Sequence, residues 1–128
     1  MKATILIVED EGLIALHISE ILANAGYRVA DLLPSGEDAL EYLSKTPSPD
    51  LILMDIGLAG KMNGIETARR IREHSDISVL FLTAYSDQIR IREAAEVSTF
   101  ERIRKPFTEK DLIAAVETAL SQTKRMTE

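Results

Sequence analysis

Three carboxylates, a hydroxyl and an ammonium are the groups of this chain best suited to chemistry, and their spacing suggests that they meet. Glu9 and Asp10 follow the apolar run Thr4–Val8, Asp55 follows Leu51–Met54, Thr83 follows Ile77–Leu82, and Lys105 follows a weaker run at Thr99–Ile103. Two ionised carboxylates about 4 Å apart repel by roughly 4 kcal/mol at an effective dielectric of about 20. If Glu9, Asp10 and Asp55 converge, the cluster must hold a proton or recruit a cation. Hard oxygen donors with no His or Cys beside them favour Mg2+, which takes few protein ligands and keeps water and phosphate oxygens. A carboxylate beside such an ion is a competent phosphoryl acceptor, because the metal neutralises charge on the incoming oxygens. Thr83 and Lys105 would bring a hydroxyl and an ammonium to the remaining oxygens of an acyl phosphate.

Each residue alone has a plainer reading. An Asp after a strand commonly caps a helix, and a Lys before Pro is commonly solvated. The argument rests on their conjunction, and so on the elements that position them. A rhythm runs along the chain of short apolar runs, each followed by an amphipathic segment. Thr4–Val8 is unbroken and β-branched, as a strand buried on both faces should be. Leu13, Ile14, Ile18, Ile21, Leu22 and Ala25 then recur at helical spacing, with Gly26 placed as a C-terminal cap. Arg28–Leu33 reads as a second strand, and Ser35-Gly36-Glu37-Asp38 starts a helix carrying Ala39, Leu40 and Leu43. Pro47 and Pro49 precede the third strand, and the loop Gly57–Gly64 leads to a helix with Ile65, Ala68 and Ile71 on one face. A polar helix is predicted from about Ser86 to Glu96, and Thr108–Asp111 caps a last helix whose inner face is Leu112, Val116, Ala119 and Leu120. The domain is expected over residues 1–122, and Ser121–Glu128 reads as a polar stretch that frays, with 123–128 a tail or linker. Alternating strands and helices predict an α/β protein, a parallel sheet with helices on both faces. Ligands of such sheets bind outside the carboxyl ends of the strands, where the candidate residues lie.

The bulk properties narrow the function further. The chain has 128 residues, 45% hydrophobic and 28% charged, enough for one core built mainly of aliphatic side chains. A formal net charge of −6 argues against direct nucleic-acid binding, which favours a basic face. The absence of Cys excludes disulfides and thiolate metal sites. Apolar runs such as Ile5–Val8 and Val79–Leu82 are too short to span a bilayer, and Met1-Lys2-Ala3-Thr4 leads straight into a strand, so no membrane partner and a cytoplasmic location are expected.

The segments Ile5-Leu6-Ile7-Val8-Glu9-Asp10-Glu11, Asp50-Leu51-Ile52-Leu53-Met54-Asp55, Leu82-Thr83-Ala84-Tyr85 and Lys105-Pro106-Phe107 resemble the four signature segments of response-regulator receiver domains of two-component signalling. The resemblance runs from about Ala3 to Gln122 with the motifs in order. It implies a flavodoxin-like, doubly wound five-stranded sheet in the order 2-1-3-4-5, and a regulatory domain rather than an enzyme acting on other substrates. Asp55 is then the phosphoacceptor, taking a phosphoryl group from the phosphohistidine of a sensor histidine kinase or phosphotransfer protein. Asp10, Asp55 and the Gly57 carbonyl are the implied Mg2+ ligands, with Glu9 acting mostly through water. Thr83 swings toward the new phosphate, Lys105 pairs with it, and the Lys105–Pro106 peptide is cis. Partners dock on the face made by the Ser86–Glu96 segment, the fifth strand and the last helix. A homodimer, or an effector domain in a longer chain, is compatible with the family.

The chain departs from the family at the switch. Three residues before Lys105, where an aromatic is usual, it has Arg102; Phe100 and Tyr85 are the candidates to substitute. The loop Leu58–Gly64 lacks the family's common Pro, and resembles that of receivers attached to sensor kinases. Two other functions fit the architecture. A phosphatase working through an aspartyl phosphate would need a second Asp two residues past the nucleophile, where Gly57 stands. A flavin module would need a Ser/Thr/Gly loop after the first strand, where Glu9-Asp10-Glu11 stands. Gly57–Gly60 is no P-loop, lacking its Lys-Ser/Thr. His17 and His74 lie on predicted helices away from the carboxylates, and Arg90, Arg92, Arg102 and Arg104 form either a basic patch or a solvated face.

Overall fold

The computed structural model describes residues 2–87 and 102–127. Five strands, β1 (Thr4–Val8), β2 (Arg28–Leu33), β3 (Leu51–Asp55), β4 (Ser78–Thr83) and β5 (Arg102–Arg104), form one parallel sheet in the order β2-β1-β3-β4-β5. Helices α1 (Gly12–Asn24), α2 (Gly36–Lys45), α3 (Gly64–Arg72) and α4 (Glu109–Thr127) cover both its faces.

The unbroken apolar runs follow from this arrangement, because successive strand residues feed opposite layers. Leu6, Val8, Ile52, Met54, Val79 and Phe81 pack with Ala39 of α2 and Ile65, Ala68 and Ile71 of α3. Ile5, Ile7, Leu51, Leu53, Leu80 and Leu82 pack on the other face with Ala15, Ile18 and Leu22 of α1 and Leu112, Val116 and Ala119 of α4. The helix ends obey the local signals. Ser35 accepts the Asp38 N–H at 3.1 Å, Thr108 Oγ1 accepts that of Asp111 at 3.0 Å, and Gly26 turns the chain after α1 at φ 94°.

Several expectations are corrected. Leu13 is not part of the inner face of α1: it is 85% exposed, beside Leu16 at 53%, because the sheet takes the Ala15–Ile18–Leu22 stripe and leaves the opposite side to solvent. β3 and β4 each extend one residue further than the apolar runs, so Asp55 and Thr83 are the last residues of their strands. α4 spans Glu109–Thr127, with no Gly or Pro between Ser121 and Thr127. β5 holds three residues of which Ile103 alone is buried, which explains its weak pattern. The predicted helix beyond Asp87, with Arg90, Arg92 and Phe100, lies outside the described residues.

Candidate functional site

Parallel pairing sets the carboxyl ends of four strands on one edge. Val8 pairs with Met54, Asp55 with Leu82, and Thr83 with Arg104, so the residues at or just past these ends become neighbours. One oxygen from each of Glu9, Asp10 and Asp55 lies within 4.8 Å of the others. Glu9 and Asp55 are buried and Asp10 half-buried.

Lys105 reaches over this group from beyond β5. Its Nζ lies 2.6 Å from Glu9 Oε1 and 3.5 Å from Asp55 Oδ1. Its backbone N–H donates to the Thr83 carbonyl at 2.7 Å, and the Lys105–Pro106 peptide is cis, as the resemblance implies. The other Glu9 oxygen accepts the Glu11 N–H at 3.1 Å, Asp10 Oδ2 accepts that of Ala59 at 3.2 Å, and Asp55 Oδ1 accepts that of Gly57 at 3.1 Å. Behind Asp55, α3 comes so close that a β-carbon on Gly64 would lie 2.1 Å from the Asp55 carbonyl oxygen. The Gly64 N–H donates to the Ile56 carbonyl at 2.9 Å, fixing the return of the loop. Thr83 is buried, and its hydroxyl makes a long 3.4 Å bond to the Ile103 carbonyl.

Burial pushes the Glu9 carboxyl up to about 7; the Lys105 ammonium draws it back down, and Asp55 adds to the rise. For Lys105, burial works against the charge, but the partners Glu9 and Asp55 outweigh it and raise the pKa. Three carboxylates face one ammonium here, so full ionisation leaves excess negative charge in a largely buried place. The donor set suits a hard divalent cation of the Mg2+ kind, which accepts a few carboxylate oxygens and fills its sphere with water.

The expected residues thus divide into two groups. Glu9, Asp10, Asp55, Thr83 and Lys105 come together at one edge. Gly57 is beside them, with its N–H placed on Asp55. Of the other proposed switch residues, Arg102 is exposed on β5, Tyr85 opens the short 3-10 turn Tyr85–Asp87, and Phe100 lies outside the described residues. Asp87, which sequence reasoning did not single out, is a buried acid in the turn after β4. It is 1% exposed, and its Oδ1 lies 3.4 Å from where a β-carbon on Gly57 would stand, a point 3.8 Å from Asp55 Oδ1. One acid four residues past a strand gives no spacing signal. Gly64 was read only as the end of a loop.

Comparison with known proteins agrees with this geometry. The family model for the response regulator receiver domain matches residues 5–117. The chain is 32% identical over 123 residues to the transcriptional regulatory protein PdtaR of Mycobacterium tuberculosis, covering 96% of this chain and 59% of that protein. It is 36% identical over 120 residues to the transcriptional regulatory protein BaeR of Escherichia coli, covering 94% and 49%. The chain therefore spans only about half to three-fifths of these curated relatives. Among solved structures, the N-terminal domain of a response regulator/sensory box/GGDEF protein from Carboxydothermus hydrogenoformans superposes with a TM-score of 0.86 at 37% identity, over 98% of this chain and 99% of that one. A receiver domain protein from Clostridium thermocellum gives 0.85 at 28% identity, over 98% and 99%.

Proposed function

We propose that this chain, which belongs to the response regulator receiver domain family of two-component signalling, takes a phosphoryl group onto Asp55 and changes its partner binding in response. The observation that carries this reading is the position of Lys105 Nζ, 2.6 Å from Glu9 and 3.5 Å from Asp55, at the edge where four strands end. An Asp55 oxygen attacks the phosphorus of a phosphohistidine on a sensor histidine kinase or phosphotransfer protein. The P–O bond forms as the P–N bond breaks, and the imidazole leaves with the electron pair. Glu9, Asp10, Asp55 and the Gly57 carbonyl are the groups that would hold Mg2+, Glu9 through water. The ion, when bound, offsets charge on the transferring oxygens. Lys105 turns from Glu9 to the new phosphoryl oxygens, and Thr83 exchanges its long bond to Ile103 for a charge-assisted one.

The consequence for binding follows from what Thr83 releases. Its hydroxyl ties β4 to β5, so turning it inward loosens the Tyr85–Asp87 turn and the face beyond it. Arg102 takes no inward part, because carrying its always-charged guanidinium into the core would cost several kcal/mol, and the response runs through Tyr85 and the Ser86–Glu96 segment. That segment, β5 and α4 form the proposed docking face for a partner, a second copy or an effector domain. The location is cytoplasmic, residues 1–122 form the folding unit and 123–128 lead out of it, and no nucleic acid or membrane is bound directly.

Incubation with acetyl phosphate and Mg2+, followed by intact-mass spectrometry, tests the reading. One stable phosphoryl group on Asp55 is expected. Catalytic release of phosphate without a phosphoprotein would instead make the chain a phosphatase, and no reaction would remove the proposed function.

A further inference from the structure

The three carboxylates of the site share a pattern: each has one oxygen that accepts from a backbone N–H. Glu9 Oε2 accepts from Glu11 at 3.1 Å, Asp55 Oδ1 from Gly57 at 3.1 Å, and Asp10 Oδ2 from Ala59 at 3.2 Å. The first two bonds reach two residues along the chain, whereas Asp10 and Ala59 are 49 residues apart. The loop holds that third donor in place. Leu58 and Met62 are buried on either side of it, Leu58 in the apolar layer that also contains Ala39 and Ile65. Gly60 between them takes φ 105°, in the left-handed region where a β-carbon is strained. No residue from Gly57 to Gly64 is Pro, so Ala59 has an N–H to give. Lys105 meets Glu9 and Asp55; among the described residues, the hydrogen-bond donor to the Asp10 carboxylate is Ala59.

We infer that the Ala59 amide is a positioning group that makes the site prefer Mg2+ to Ca2+. This rests on the metal site proposed above. A carboxylate oxygen held by an N–H is poorly placed to join its twin on a cation, so Asp10 ligates through Oδ1 alone. Mg2+ takes single oxygens in a strict octahedron and keeps several waters. Ca2+ takes about six to eight oxygens and often gathers them from bidentate carboxylates. One amide on each of the three acids therefore leaves a donor set suited to the smaller ion. Groups that orient a metal ligand commonly change its affinity by roughly tenfold to a hundredfold. Glu11 and Gly57 lie two residues from the acids they hold, so Ala59 is the donor that can be removed without rebuilding a strand end.

The test titrates the full chain, isotopically labelled, with MgCl2 or CaCl2 alone and follows its backbone amide signals by NMR. The wild type should bind Mg2+ more tightly than Ca2+. Ala59→Pro removes the N–H; it should weaken Mg2+ roughly tenfold and Ca2+ much less, so that the preference falls several-fold. Proline also restricts the residue before it, so a second protein carries an ester in place of the Ala59 amide and keeps the side chain. It should show the same loss, and it decides the matter if Ala59→Pro does not fold. A merely structural loop would move the melting temperature and lower both affinities together. An unchanged Mg2+ to Ca2+ ratio in the ester protein, or a wild type that binds without preferring Mg2+, would overturn the inference and leave the metal site standing. A wild type whose signals respond to neither ion would overturn the metal site itself, and the role of Ala59 with it.

Discussion

Asp55 ends a strand of five buried residues that is paired on both sides, whereas Lys105 follows a three-residue edge strand in which Ile103 alone is buried. The same contrast holds around them. Glu9 and Asp10 leave β1, another central strand, while Thr83 and the Tyr85–Asp87 turn leave β4 on the side facing β5. The half of the site that reacts is therefore fixed by the sheet interior, where moving a backbone disrupts two neighbours and two apolar layers. The half that answers is mixed: Thr83 ends β4, itself paired on both sides, while Lys105 follows an edge strand where few buried contacts resist a shift, as in a low-stability element. A switch needs both: an acceptor that stays in place and a neighbour that moves for little energy.

The contrast breaks at once if the acceptor is elsewhere. Asp55→Asn should abolish phosphate incorporation from acetyl phosphate, because an amide is not a nucleophile here; full labelling of the variant would show that the central strands do not carry the reaction. Next in size is the backing of Asp55. Gly64→Ala would drive a methyl to 2.1 Å from the Asp55 carbonyl oxygen, a backbone atom that cannot turn aside. A loss of about 3 kcal/mol in denaturant unfolding is expected. Gly12→Ala, with nothing within 4 Å, should instead gain up to about 1 kcal/mol. Equal effects of the two would mean that the reactive half is not tightly backed.

A pH series sharpens the electrostatic side of the comparison. Glu9 in the fold titrates at about 7 against an ordinary 4.5, so the folded chain binds the extra proton between those values. The stability from this group is complete below the lower value and is lost as pH rises through the upper one, by about 3 kcal/mol in metal-free protein. Denaturant midpoints at about pH 5 and pH 8, compared between wild type and Glu9→Gln, measure it. Saturating Mg2+ should offset the loss by favouring the charged form. A wild type and a Glu9→Gln variant with parallel pH profiles would refute the burial argument. The smallest effect belongs to the edge: Arg102→Ala should alter stability by less than about 0.5 kcal/mol, since the side chain is exposed. A larger loss would show that β5 is held more firmly than its burial indicates.

The central half was legible in the sequence for a physical reason. Strands buried on both faces need continuous apolar runs, and the acids that end them stand out against those runs. The edge half was less legible because β5 buries one side chain, and its register comes from pairing with Phe81, Leu82 and Thr83 rather than from its own pattern. Leu13 misled because helical spacing says which residues share a face, not which face the sheet will take. Gly36 and Gly64 carry no local signal at all: a β-carbon on Gly36 would lie 2.0 Å from Thr67 Oγ1, a clash between segments that only the tertiary fold brings together.

Parallel strands give the sheet two unlike rims. The turns at 25–27, 46–50 and 73–77 all feed the amino ends of strands, and every group of the site leaves from the carboxyl ends. A strand of five or six residues rises roughly 3.3 Å per residue, so about 15 Å of hydrogen-bonded backbone separates the rims. Added or deleted residues in those turns would change the molecule's outline and leave its reactive groups where they are. The carboxyl rim has no such slack, because the loop that begins at Gly57 supplies an N–H to Asp55 and an N–H from Ala59 to Asp10. Length variation among related chains should collect at the amino rim, where the fold can absorb it without disturbing the chemistry.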